Sequence, residues 1–518
     1  MNLLKAIATM SGITMLSRIL GFIRDILIAS TLGASAIADC FFVAFRFPNL
    51  FRRLFAEGAF SAAFVPMFSK ELEKGGRLSA KEFADGAFSV LLISLLVLIG
   101  AMELTMPWVI WILAPGFDAV KDKMTLATEL SRIAFPYLIF ISLVSLQSGV
   151  LNSLNRFAAA AAAPVLLNLT LITAMLGFAD SRESAGHVLS WAVFAAGVLQ
   201  FAWLDYHCRR EGLPITWRRP RLTPKIRLLG KRILPVVFGS SLYQINLLIG
   251  TILASLISDG AVSFLYYADR VTQLPLGVVG VAVSTALLPT LSRQLAAGEQ
   301  IAAMTSQNRG LEIALLLTLP AAVALYVIAE PLIIVLFERG VFSAADSLAT
   351  AWALMAYSTG LPAYVLIRVL TPGFFAREDT STPVKIAAAA MITNIALNLI
   401  LMQFWGHVGI AIAASISAWF NAAVLGWTLH RRGQIEFDLR LTKRCPRIVL
   451  ASLLMGTALY FGNDFLTPWF KGDEGSRALA LTILVGFGLT IYGLMAQISG
   501  AANWRDVKHF FRRSSKAA

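Results

Sequence analysis

The chain has 518 residues, of which 57% are hydrophobic and only 14% charged, with a net charge of +14 and a mean hydropathy of +0.72. Such a composition excludes a water-soluble globular protein, which must present a largely polar exterior to water. What remains is a chain whose solvent is a bilayer, where a spanning helix needs roughly 20 apolar residues and irregular backbone cannot face lipid.

Runs such as Val90–Ala101, Ala387–Met402 and Ala478–Ile498 are too long and too continuously apolar for barrel strands, so the class is an all-α polytopic membrane protein. In chain order, helices are expected over 3–32, 36–68, 84–112, 126–154, 160–179, 186–207, 231–257, 262–292, 309–336, 347–376, 384–404, 408–430, 446–463 and 477–499, about fourteen spans in all. The first mimics a signal peptide, with Lys5 before an apolar stretch. Arg18 and Arg24 interrupt it and no small-residue cleavage site closes it, so it reads as a retained helix. The second, eighth and tenth spans are long enough to be tilted or broken, and Pro48, Pro275, Pro289 and Pro372 mark candidate breaks. Cys40, Cys208 and Cys445 show no paired spacing and no histidine company, so neither a disulfide framework nor a zinc site is expected.

Basic residues set the orientation. With the N-terminus inside, alternation puts four basic clusters in the cytoplasm: Lys70–Lys81, Arg209–Arg227, Arg431–Arg447 and Arg505–Lys516. Few fall outside, namely Lys121, Lys123, Arg182, Arg339, Lys471 and Arg477. The opposite orientation would invert this positive-inside pattern, so both termini are expected in the cytoplasm. Topology and anionic headgroups then account for the net charge, and no nucleic-acid partner is expected.

A weak internal repeat runs at an offset of about 222 residues. Ala44-Phe45-Arg46 matches Ala268-Asp269-Arg270, and Pro115-Gly116-Phe117 matches Arg339-Gly340-Val341. Each copy holds six helices, so the halves share one orientation. This divides the chain into an N-lobe (1–207), a basic cytoplasmic linker (208–230), a C-lobe (231–432) and a final pair of helices with a basic tail (433–518).

Charge inside the spans carries the chemistry. The first helix holds Arg18, Arg24 and Asp25; the second holds Asp39, Arg46, Arg52, Arg53 and Glu57; the eighth holds Asp269 and Arg270. An arginine at mid-bilayer costs roughly 2.5–3.5 kcal/mol, so six facing lipid would cost on the order of 15–20 kcal/mol. Asp39, Arg46 and Arg53 are spaced seven apart, with Glu57 a turn further on, and form one stripe if the helix continues past Pro48. Structural ion pairs or snorkelling explain a single residue, such as Arg52 or Arg53, more readily than they explain the set. A hydrated, net-positive cavity is the expectation, and guanidinium forks suit phosphate or pyrophosphate oxygens. Glu103, Glu312 and Glu330 read as interfacial.

Machinery for other classes is missing. No G-x-x-x-x-G-K-[ST] loop, H-E-x-x-H or G-x-S-x-G motif occurs, and the histidines are scattered. A membrane glycosyltransferase or pyrophosphatase would need an acidic metal-binding cluster or a sizeable outer loop. No enzyme, cofactor or metal is expected, and transport by alternating access is the simplest account.

Several stretches resemble the MurJ/MviN lipid II flippases: Gly21-Phe22-Ile23-Arg24-Asp25, Asp39-Cys40-Phe41-Phe42 into Pro48-Asn49-Leu50, Ala56-Glu57-Gly58-Ala59-Phe60-Ser61, Tyr266-Tyr267-Ala268-Asp269-Arg270 and Thr382-Pro383-Val384-Lys385. The resemblance covers nearly the full length and is strongest over 1–70. It implies the multidrug/oligosaccharidyl-lipid/polysaccharide exporter fold: two six-helix lobes around a central cavity, plus two C-terminal helices that help form a groove for a polyprenyl tail. It also implies lipid II as substrate, with Arg18, Arg24, Arg52 and Arg270 as cavity arginines and Arg46 and Arg53 beside them. Asp25, Asp39, Glu57 and Asp269 would be cavity carboxylates. The implied setting is the bacterial inner membrane, with membrane lipids and cell-wall synthesis proteins as partners. Relatives with a sodium site carry carboxylates on the seventh and eleventh helices. Here 231–257 and 384–404 contain no Asp or Glu, which favours coupling to membrane potential. The alternative is a flippase for another polyprenyl-linked glycan or a drug/cation antiporter, although an antiporter would want carboxylates where this chain has arginines.

Overall fold

The computed structural model describes residues 3–54, 60–120, 122–179 and 181–502, with the side chains of some helical positions, Arg53 among them, set aside. Glu57, Lys121 and the basic tail residues Arg505, Lys508, Arg512, Arg513 and Lys516 lie outside the described residues. Among the described residues every regular element is helical. Nine helical stretches there are long and apolar enough to cross a membrane.

The chain forms two compact units. The first is Met1–Ser263 with Arg339–Phe342, and the second is Phe264–Glu338 with Ser343–Ala518. The first contains α1 (Leu3–Leu32), α2 (Ala36–Leu54), α3 (Phe60–Leu113), α4 (Lys123–Ala134), α5 (Tyr137–Ser153), α6 (Phe157–Phe178), α7 (Arg182–Arg210) and α8 (Pro224–Ser255). In it α1 packs on α6, α6 on α7, α7 on α5, α5 on α3 and α3 on α8. Its interior is aromatic, with the Phe64 ring 5.6 Å from Phe68 and 5.5 Å from Phe83.

A helix α9 (Ala261–Pro275) starts in the first unit, and its remaining residues belong to the second. The second unit continues with α10 (Val281–Ala296), α11 (Gln300–Val327), α12 (Ala329–Phe337), α13 (Ala344–Phe375), α14 (Ser381–Arg431), α15 (Leu439–Phe470) and α16 (Glu474–Ile498). There α13 packs on α14 and α11, and α15 packs on α11 and α16. Capping residues set several starts. Ser343 and Asp346 exchange hydrogen bonds at the head of α13 (2.9 and 3.2 Å), and Asp438 accepts from Leu441 N (2.7 Å) at the head of α15.

Prolines break the helices less often than expected. Only Pro275 ends one, followed by a π-helical turn at Leu276–Gly280; α2, α10 and α13 run on through Pro48, Pro289 and Pro372. An unexpected break falls at Phe135–Pro136, between α4 and α5. Two other interruptions are glycines, Gly76 inside α3 (φ 68°) and Gly406 inside α14 (φ 54°). Residues 70–81, expected as a basic loop, are helical instead. Glu71 there pairs with Lys225 at 2.7 Å, and Lys81 pairs with Asp85 one turn on at 2.7 Å.

The two triplets aligned by the internal repeat make equivalent contacts, both within the first unit. A Cβ on Gly116 would lie 2.0 Å from the carbonyl oxygen of Ser255, at the end of α8. One on Gly340 would lie 2.1 Å from that of Ser30, near the end of α1. Gly116 N donates to Ser255 Oγ at 3.4 Å, and Val341 N donates to Ser30 O at 2.9 Å. Only a residue without a side chain fits either place.

Candidate functional site

On α1, Arg18 is exposed and Arg24 and Asp25 are buried. Arg24 donates from Nε and Nη2 to Asp25 Oδ1 at 3.0 and 2.7 Å, and from Nη1 to Asn168 Oδ1 on α6 at 3.0 Å. Asn168 in turn donates from Nδ2 to the Ser17 carbonyl at 2.9 Å, which turns its oxygen towards the guanidinium. The charge of Arg24 is thus offset locally and its plane is held by a neighbouring helix. One turn and a half away, Arg18 has no acidic partner among the described residues and supplies uncompensated positive charge.

The stripe on α2 divides by environment. The helix does continue past Pro48, to Leu54, so Asp39, Arg46 and Arg53 share one element. Asp39 is fully buried and accepts from Gly260 N (2.8 Å), Ser263 N (3.0 Å) and Ser263 Oγ (2.7 Å), at the head of α9. It also pairs with Lys123 at 3.1 Å, whose other partner is Asp259 at 2.6 Å. These contacts make Asp39 a helix cap and an anchor for a buried ammonium, with its oxygens turned to protein. Arg46 is half-buried; so is Arg52, which donates to Asn49 Oδ1 at 2.8 Å.

In the second unit Arg270 is half-buried and donates to Tyr266 Oη from Nε and Nη2 at 3.2 and 3.0 Å, its guanidinium 5.1 Å from the Tyr266 ring centre. Asp269 accepts from Gln273 one turn on. Sequence reasoning missed three groupings. Lys123, expected in an outer loop, is buried against Asp39. Asn168 is the partner of Arg24, and an amide in an apolar run gave no hint of it. Glu312, expected at an interface, is buried within α11 and pairs with Arg309, Arg440 and Arg444, while Arg309 also meets Asp438. The i,i+3 spacing of Arg309 to Glu312 and the i,i+4 spacing of Arg440 to Arg444 were the readable signal for that last cluster.

Taken together, the described charges that the sequence assigns to the cavity comprise one neutralised buried pair, one buried capping network, the half-buried Asp269, and arginines at positions 18, 46, 52 and 270 that retain exposure. Guanidiniums in that state can meet an anionic group, and nothing in the set resembles a catalytic constellation.

Comparison with known proteins agrees over the whole length. The family model described as lipid II flippase MurJ matches residues 28–479. A protein of Rhizobium meliloti (strain 1021) named "Probable lipid II flippase MurJ" is 45% identical over 100% of this chain and 98% of its own length. The "Lipid II flippase MurJ" of Burkholderia cenocepacia is 38% identical over 96% of this chain and 97% of its own. Among solved structures, a lipid II flippase MurJ in an inward closed conformation superposes with a TM-score of 0.80 at 26% identity, covering 96% of this chain and 99% of that one. An inward-facing multidrug resistance MATE family transporter of the MOP superfamily reaches 0.67 at 19% identity, covering 83% of this chain and 98% of that one, a likeness of fold. The chain therefore belongs to the lipid II flippase MurJ family.

Proposed function

We propose that this chain carries lipid II, the polyprenyl-diphosphate-linked wall precursor, from the cytoplasmic to the periplasmic leaflet by alternating access. It is a multi-pass protein of the bacterial inner membrane and a transporter, not an enzyme. The full-length match to the flippase family carries the reading. In it the N-lobe is 1–207 and the C-lobe 231–432, joined by the linker 208–230 and followed by the helices of 433–518, with both termini cytoplasmic. Arg18, Arg24, Arg46, Arg52, Arg53 and Arg270 receive the diphosphate head in a cationic cavity, with Asp25, Glu57 and Asp269 tuning their charge. Asp39 serves that site by holding the head of α9. Coupling is to the membrane potential, and cell-wall synthesis proteins are the partners.

The test is depletion with complementation. Loss of the chain should accumulate lipid II in the inner leaflet, and Arg18→Ala and Arg270→Ala should insert normally yet fail to restore growth. Removing one charged contact to a diphosphate costs roughly 1.5–3 kcal/mol, about tenfold or more in rate. Full restoration by both variants together would remove the site assignment, and unchanged leaflet distribution on depletion would remove the substrate.

A further inference from the structure

The first unit has a second concavity, away from Arg24 and Asp39. It is a cavity of about 520 Å³ walled by Leu92 of α3, Phe140 of α5 and Phe201 of α7, and bordered by Ile215 and Trp217 of the segment that follows α7. Apart from Asp205 and Arg209 its lining is apolar.

That segment is fastened in place. Asp85, fully buried on α3, accepts from Thr216 N at 2.8 Å and pairs with Arg218 at 3.1 Å, while Ser89 Oγ accepts from Arg218 N at 2.9 Å. Ile215 is consequently buried, and the rim is a fixed wall instead of a free loop. The charges at this rim and next to it along the chain are unequal. Arg209 is held by Asp205 at 2.6 Å and Arg218 by Asp85 and Glu82, whereas Arg210, which follows Arg209, and Arg219, two residues past Trp217, are exposed with no acidic partner among the described residues. Trp217 is half exposed at the same rim, as an indole at a headgroup boundary is.

We infer that this groove is a binding site for an anionic glycerophospholipid, one acyl chain lying between α3, α5 and α7 and its phosphate at the Arg209–Trp217 rim. An amphiphile fits a cavity that is greasy along its length and cationic at one end. The uncompensated charge of Arg210 and Arg219 selects an anionic headgroup over a zwitterionic one. Arg209, already oriented by Asp205, presents further N–H donors to a phosphate oxygen. The site is separate from the arginines assigned to lipid II, so its occupancy does not depend on that assignment.

Native mass spectrometry of the purified full-length chain tests this with phosphatidylglycerol against phosphatidylcholine of the same chain length. The wild type should retain phosphatidylglycerol roughly thirtyfold more tightly, as expected for two nearby basic residues. The exposed double variant Arg210→Gln/Arg219→Gln should erase that preference, and Leu92→Trp, which fills the groove, should weaken retention of both lipids. Should Leu92→Trp misfold, the surface double variant alone decides. Equal retention of the two lipids by the wild type, or a preference untouched by the double variant, overturns the inference. So does displacement of phosphatidylglycerol by equimolar lipid II, which would assign the groove to the transported substrate.

Discussion

Asp39 and Lys123 form a deeply buried ion pair. Both are buried, and Asp39 also satisfies two backbone N–H groups at the head of α9. Removing Asp39 leaves Lys123 with only the half-exposed Asp259 as partner and strips the acceptors from Gly260 N and Ser263 N, at a cost of about 1–3 kcal/mol for each buried donor left unmet. Asp39→Ala should therefore lower the thermal unfolding midpoint in detergent sharply. Asp39→Asn, which keeps one oxygen to accept from Ser263 but loses the charge and the second acceptor used by Gly260 N, should lower it less; equal midpoints for wild type and Asp39→Ala would refute this account. The residue shows where reading a sequence stops. The cost of burying charge flagged as anomalies Asp39 and Arg24, which are buried, and also Arg270, which is only half-buried. Whether such an anomaly faces ligand or protein depends on residues distant in the chain, Asn168 for Arg24 and Lys123 for Asp39, and no periodicity connects them. Lys123 follows Asp118 and Asp122 in a polar stretch that reads as solvated loop.

At the scale of elements, hydrophobic length was readable and interruptions were not. A spanning helix declares itself because lipid imposes roughly 20 apolar residues. Proline was an uneven guide to breaks: Pro275 ends α9, whereas α13 carries Pro362 and Pro372 without ending, since neighbouring helices can take up the freed carbonyls. Glycines with positive φ mark where the chain turns sharply or is closely approached. Gly340 combines φ +59° with a backbone oxygen 2.1 Å from its would-be Cβ, whereas Gly433 has φ +63° and open space around it. Both alanine variants incur the left-handed strain of about 1–3 kcal/mol, and only Gly340→Ala adds a clash with Ser30. Its midpoint should fall well below that of Gly433→Ala, and similar midpoints would show that the strap at 339–342 can shift at no cost.

Two clasps in charged stretches between the apolar runs also give the elements a pH dependence. Hydrogen bonds from Thr382 and then Arg432 hold Asp379 below the ordinary carboxylate range, and hydrogen bonds from Lys225 and Ser79 lower Glu71. A carboxylate depressed by folding contributes stability that is present above its unfolded value, near pH 4, and lost as pH falls below it. Hydrogen exchange at 379–384 and 223–227, corrected for intrinsic rates, should quicken on going from pH 6 to about pH 3. Replacing Asp379 with Asn should abolish that response at the first segment only.

For the whole molecule, the absence of acidic residues from 231–257 and 384–404 has an energetic consequence. The polar groups there include Asn246, Asn394 and Asn398, with Asn398 Nδ2 donating to Asn394 Oδ1 at 3.0 Å. Amide oxygens alone supply no net charge to offset the dehydration of a sodium ion, and hard cations are held chiefly by carboxylates and several further oxygens. The membrane potential needs no such site. It is worth about 2.3 kcal/mol per elementary charge per 100 mV, so a diphosphate of about two negative charges gains on the order of 4–5 kcal/mol leaving a cytoplasm that is negative inside. A cationic cavity that returned empty would move its own charge inward, which the same field favours. In proteoliposomes, an imposed inside-negative potential should therefore raise outward lipid II transfer severalfold, and replacing sodium by potassium or choline at constant potential should leave it unchanged. Transfer that collapsed on sodium removal, with the potential held, would mean that carboxylates elsewhere in the chain bind the coupling ion.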